Sequence, residues 1–159
     1  MQAFAKVTAT LLLGFILGVA TYLGVLQVAR GAASPAAGKT PTAHLTTTIL
    51  PGMKLGPDHR LHDAFSPANF RVVAGERVDL TILNYDNMPH SFTASGLGLN
   101  VTAAGSPRTG VPGVTVVHFT VSRPGTYSWQ CVLPCDLGAG GWAMSHAGFM
   151  TGSVVVTGA

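Results

Sequence analysis

Tyr127-Ser128-Trp129-Gln130-Cys131-Val132-Leu133-Pro134-Cys135 carries both cysteines of the chain, and His146 and Met150 follow it. Thiolate, imidazole and thioether are soft or borderline ligands, and together they suit copper cycling between Cu(I) and Cu(II). A distant histidine, His90, lies in Asn84-Tyr85-Asp86-Asn87-Met88-Pro89-His90-Ser91-Phe92, where a polar turn meets a strand.

Outward from that stretch the chain reads as β structure. Arg123-Pro124-Gly125 is a turn between a long strand, Val114 to Val121, and a second strand, Thr126 to Cys131. Upstream, Arg77 to Leu83 alternates with period two, apolar at Val78, Leu80 and Ile82. Asn69 to Val73 precedes the turn Ala74-Gly75-Glu76, and His90 to Ala94 is a short strand. Thr46 to Leu50 is a β-branched run, and Gly152 to Thr157 closes the domain. Met53 to Asp63 reads as irregular. Short strands separated by Gly/Pro turns predict an all-β fold, a one-core antiparallel β-sandwich over residues 44–159.

The residues from His90 onward carry a resemblance. His90-Ser91-Phe92, Gly96-Leu97-Gly98-Leu99-Asn100-Val101, Phe119 to Tyr127, Gln130-Cys131, Cys135, His146 and Gly148-Phe149-Met150 occur in one order. In that order they resemble the copper domain of cytochrome c oxidase subunit II, a cupredoxin carrying the dinuclear CuA centre. The resemblance implies a Greek-key cupredoxin sandwich and a copper site built from His90, Cys131, Cys135, His146 and Met150. It also implies a ligand from the backbone carbonyl of Leu133, with both thiolates bridging two coppers. One departure is plain: ten residues separate Cys135 from His146, a longer spacer than the family has. That added segment, Asp136 to Ser145, is Gly-rich and reads as a loop-out.

Leu11 to Ala29 is uncharged and apolar, close to the roughly 20 residues that span a bilayer. It predicts a single N-terminal transmembrane helix, with residues 1–30 as membrane anchor and 31–43 as a flexible linker rich in Ala, Gly, Ser, Pro and Thr. A cleaved signal peptide is the alternative, and its apolar region is usually shorter. Either reading exports the domain, and the resemblance puts it on the extracytoplasmic face. That compartment is oxidising, so a Cys131–Cys135 disulfide is the competing reading of the cysteine pair.

Composition narrows the function. The chain of 159 residues is 47% hydrophobic and only 9% charged, with a formal net charge of +3. The high pI of about 9.2 reflects scarce charge rather than a basic patch, so nothing points to nucleic acid. No phosphate loop, carboxylate pair or Ser/His/Asp set is present. His59, His62 and Asp63 read as a solvated polar loop, His44 as linker, and His118 as an exposed strand residue opposite in face to Val117 and Phe119. Met88 and Met144 are spare thioethers ranked below Met150.

Three functions follow as expectations. The first is a membrane-anchored electron-transfer subunit. By the resemblance it takes electrons from a c-type cytochrome or small copper protein and serves a haem-copper oxidase subunit I. The second is a copper storage or delivery protein, and the third a metal-free cupredoxin-like domain with the disulfide.

Overall fold

In this computed structural model, residues 40–159 are described. The expected anchor and most of the linker lie outside them. Among the described residues no helix is long and apolar enough to cross a membrane. Nine strands account for the architecture: β1 (Thr42–Leu55), β2 (Leu61–Ser66), β3 (Asn69–Val73), β4 (Arg77–Asn84), β5 (His90–Ala94), β6 (Leu99–Ala103), β7 (Gly113–Thr120), β8 (Gly125–Gln130) and β9 (Thr151–Thr157). They form one sheet in the order β2-β1-β4-β7 and another in the order β3-β9-β8-β5-β6.

The alternation seen in the sequence becomes the inner face. In β4, Val78, Leu80 and Ile82 are fully buried while Arg77, Asp79 and Thr81 face outward, as period two requires. Phe65, Phe92 and Trp129 meet in the core. Trp129 stacks on Phe92 with ring centroids 4.7 Å apart and meets Phe65 edge-on at 4.7 Å. Its Nε1–H donates to the Ala68 carbonyl at 2.9 Å, so the one polar atom of a buried indole is satisfied.

The sandwich is mixed rather than antiparallel as expected. β1 pairs parallel to β4, and β3 pairs parallel to β9. The chain changes sheet repeatedly, so strands adjacent in sequence are often not partners. β1 is long enough to serve two partners: its first part, Thr42 to Ile49, runs beside β4, and Thr48 to Leu55 pairs with β2. The segment expected to be irregular, Met53 to Asp63, holds the end of that hairpin. His44, expected in the linker, lies in β1 opposite Asp79. His118 is exposed on β7 and bonded to the same carboxylate, Nδ1 to Oδ1 at 2.6 Å.

Gly152 stands where the two layers close around Trp129. A Cβ there would sit 1.9 Å from the Ala68 carbonyl oxygen and 2.9 Å from Trp129 Cζ2. Both neighbours are fixed, one by backbone and one by packing. Gly152→Ala is expected to destabilise the domain by about 3 kcal/mol, the upper end of ordinary overpacking. Urea unfolding of the two proteins checks it.

Candidate metal centre

The site is assembled at one end of the five-stranded sheet, where β5 begins and β8 ends. A short loop sets the position of His90. Asn84, fully buried at the end of β4, donates through Nδ2 to the Met88 carbonyl at 2.9 Å and accepts the Asp86 N–H at 2.9 Å. That folds Asn84 to Pro89 into a compact turn and delivers Asp86 to His90. Asp86 Oδ2 lies 2.9 Å from His90 Nε2. A carboxylate on Nε2–H leaves Nδ1 facing inward, the usual way an outer partner chooses the tautomer of a ligating histidine.

Nδ1 of His90 points at sulfur. It is 2.9 Å from Cys135 Sγ and 4.0 Å from Cys131 Sγ, and the two sulfurs are 2.7 Å apart. The three donor atoms lie within 4.8 Å of one another. His90, Cys131 and Cys135 are each at most 3% exposed, so the cluster is shielded from water. Backbone pairing holds Cys131 just past β8: its N–H donates to the Met150 carbonyl at 2.8 Å. Ser91 contributes twice, donating its N–H to Cys131 Sγ at 3.3 Å and accepting the Val132 N–H on Oγ at 2.8 Å.

Both cysteines are free thiols. The pair loses its first proton easily and its second with difficulty. Cys131 is pushed down to about 4 by the hydrogen bond from Cys135, against burial, with His90 and the Ser91 N–H adding to the effect. Cys135 is pushed up, first by the hydrogen bond to Cys131 and then by burial and the neighbouring negative charge. Burial lowers the pKa of His90, but the thiolate and Asp86 outweigh it and the net shift is upward. A cation replacing those protons meets a ready-made anionic pocket.

The expected ligands divide. His90, Cys131 and Cys135 come together, and the Leu133 carbonyl oxygen lies 3.7 Å from Cys131 Sγ. Met150 is fully buried just before β9, its carbonyl accepting the Cys131 N–H. His146 does not join the cluster. Its Nδ1 donates to the Trp142 carbonyl at 2.6 Å, and its ring stacks on the Trp142 indole with centroids 3.4 Å apart. Of the spare thioethers, Met88 is exposed and Met144 only partly buried.

The sequence reading missed four contributors. Asp86 and Ser91 lie beside His90 in sequence, where neither belongs to a ligand motif of its own. Asp136 follows Cys135 directly, which was the available signal. His62 was placed in a solvated loop, yet it is completely buried. Its Nδ1 is 2.9 Å from Asp136 Oδ2 and its Nε2 is 2.9 Å from Asp58 Oδ1. Only a folded chain brings those carboxylates to it, which is why the burial of a polar ring was invisible beforehand.

These contacts raise the His62 pKa, chiefly through the Asp58 hydrogen bond, which burial opposes and Asp136 reinforces. A folded pKa above the unfolded value of about 6.5 makes the contribution complete below that pH and lost as pH rises through the folded value. The metal-free domain is therefore expected to lose thermal stability above about pH 6.5 relative to His62→Gln. Melting curves of the two proteins from acidic to alkaline pH check the difference.

The two-sheet architecture is a cupredoxin-like sandwich in its fold. Solved structures agree on the fold. The chain is similar to a blue copper oxidase from Nitrosomonas europaea, with TM-score 0.53, 17% identity, 74% of this chain covered and 39% of that one. It is similar also to a laccase from Pediococcus acidilactici, with TM-score 0.51, 18% identity, 79% of this chain covered and 28% of that one. The chain thus spans well under half the length of either protein. No protein-family model and no curated protein matches the sequence.

Proposed function

We propose that this protein is a copper-binding electron-transfer protein, with the metal held at Cys131, Cys135 and His90. The observation that carries the reading is the buried His/Cys/Cys cluster, whose three donor atoms already lie within 4.8 Å of one another. The donor chemistry fits copper, since two thiolates and an imidazole form a soft, anionic set. A mononuclear blue site takes one thiolate and two imidazoles. This cluster offers the reverse, two thiolates and one imidazole, so Cys131 and Cys135 would both serve as thiolate ligands, the set a dinuclear centre would use. The Leu133 carbonyl is a further donor at hand, and the resemblance adds the thioether of buried Met150. Copper so held supplies a one-electron couple.

The chain's own residues supply the rest. Asp86 keeps the proton of His90 on Nε2. Ser91 and the Met150 carbonyl fix Cys131, so its sulfur does not have to relocate when charge changes. Burial keeps water away from the donors, and low reorganisation follows from a rigid, dry site. We further propose that the domain works on the extracytoplasmic face behind an N-terminal anchor at residues 11–29. A c-type cytochrome or small copper protein would donate electrons, and a haem-copper oxidase would accept them.

Electron paramagnetic resonance of the copper-loaded domain tests the reading. An unpaired electron shared by two copper nuclei is expected to show more hyperfine lines than a single copper gives. A four-line single-copper spectrum overturns the dinuclear assignment. A domain that retains no copper after exhaustive dialysis overturns the function itself. Rapid surrender of copper to a competing chelator would instead fit storage or delivery.

A further inference from the structure

The added segment between Cys135 and His146 is bolted down rather than looped out. Two short 3-10 turns, Leu137–Ala139 and Trp142–Ser145, shape it, and Ala143 within it is fully buried. Asp136 is the anchor, only 4% exposed. Its N–H donates to Asp63 Oδ2 at 2.7 Å, and its Oδ1 accepts the Asp63 N–H at 3.2 Å. Its Oδ2 accepts the Ala143 N–H at 2.8 Å and faces His62 Nδ1 at 2.9 Å. Its carbonyl accepts the N–H groups of Ala139 and Gly141 at 3.0 and 2.9 Å.

Such saturation has a purpose visible in the backbone. Asp136 has φ of 58°, a left-handed conformation that is uncommon for any residue but glycine, though Asp tolerates it better than most. The surrounding bonds hold it there. His62, with a carboxylate on each ring nitrogen, ties Asp136 on the loop to Asp58 beside β2. Trp142 then stacks over His62 with centroids 4.3 Å apart and Phe149 meets His62 edge-on at 5.7 Å, closing the segment over the imidazole. Gly56 allows the close approach, since a Cβ there would stand 2.6 Å from Asp58 Oδ1 and 2.8 Å from His62 Cδ2.

We propose that the Asp58–His62–Asp136 clasp positions Cys135 for metal before any metal arrives, doing the anchoring that a ligating histidine in this loop would otherwise do. The proposal rests on the copper reading above and deepens it: these are positioning residues, with Asp136 one peptide bond from Cys135 and His62 and Asp58 acting through it. Cys135 is fixed on one side by β8 through Cys131 and on the other by Asp136. His146 is thereby released to pack on Trp142, as its stacking and its bond to the Trp142 carbonyl show.

The test uses the full chain with and without copper. Amide exchange in the metal-free wild type should show protected N–H groups at Ala139, Gly141 and Ala143, all bonded to Asp136. His62→Gln should speed their exchange at least tenfold. It should also lower copper affinity about 10–100-fold, the usual effect of losing an outer partner, and broaden the copper spectrum. Asp58→Asn, at a more exposed position, should shift both readouts in the same direction by less, and it serves if His62→Gln does not fold. His146→Ala should change copper affinity by less than about twofold, below any outer-partner effect. The proposal falls if those amides are unprotected until copper is added. It falls equally if both clasp variants keep wild-type affinity and spectrum, or if His146→Ala destroys the spectrum. A wild type that binds no copper would sink the copper reading, while amide exchange in the metal-free variants would still decide whether the clasp holds the loop beside Cys135.

Discussion

Replacing Cys135 by serine, or Cys131 by serine, is expected to abolish the multi-line copper spectrum and weaken copper binding by more than about 100-fold, beyond what loss of an outer partner costs. The two sulfurs differ in protonation and in distance to His90, yet both belong to one cluster. Both are buried, they sit 2.7 Å apart, and each lies within reach of His90 Nδ1. A serine hydroxyl is a harder donor and stays protonated at neutral pH, so it neither bridges copper nor supplies the missing charge. In a dinuclear centre each sulfur serves both metals, and loss of either ends the sharing of the electron. In a mononuclear blue centre, which takes a single thiolate, one of the two would be dispensable. A Cys135→Ser protein with an ordinary single-copper blue spectrum, unchanged from wild type, would therefore make Cys135 a bystander and the centre mononuclear. Circular dichroism of the metal-free variants separates a binding defect from a folding one, since a Cys-to-Ser change removes little volume.

Trp129→Ala is expected to destabilise the domain by about 4 kcal/mol, within the range for deleting a buried aromatic. Trp129 is 1% exposed and sits between Phe92 and Phe65, so its loss opens a cavity walled by rings that β strands hold apart. The Ala68 carbonyl also loses its partner. For a domain of this size the melting temperature should fall by about 15 °C. Because Trp129 lies two residues before Cys131 on the strand that presents it, copper affinity should fall as well. Thermal melts of the metal-free proteins measure the first effect, and copper titration the second. A fall of only a few degrees would mean the surrounding aromatics collapse into the space, and the core would be softer than its packing indicates.

What the sequence by itself determined is local. Val78, Leu80 and Ile82 alternate because a pleated strand points every second side chain inward, and that pattern survives any choice of neighbours. Arg123-Pro124-Gly125 turns the chain between β7 and β8 for reasons contained in those residues. The donor types are local too: two sulfurs and a histidine ahead of them name a soft metal before any geometry exists.

The tertiary structure decided which partners meet. The parallel pairing of β1 with β4 and of β3 with β9 depends on where the chain crosses between sheets, and strand periodicity is the same for either direction. The Gly-rich insertion looked free because the residue that organises it, Asp136, is itself held from far away in sequence. Asp136 is held by Asp63 and His62, more than seventy positions away. His146 shares its chemistry with His90, and the resemblance grouped them as ligands despite the longer spacer. Folding gave His90 a carboxylate on its outer nitrogen and sulfur on its inner one, and gave His146 an indole and a carbonyl instead. A side chain's donor atoms are written in its identity. Whether they face a metal or a neighbouring ring is settled by long-range packing, because each imidazole goes to whichever buried partners the rest of the chain has already put in place.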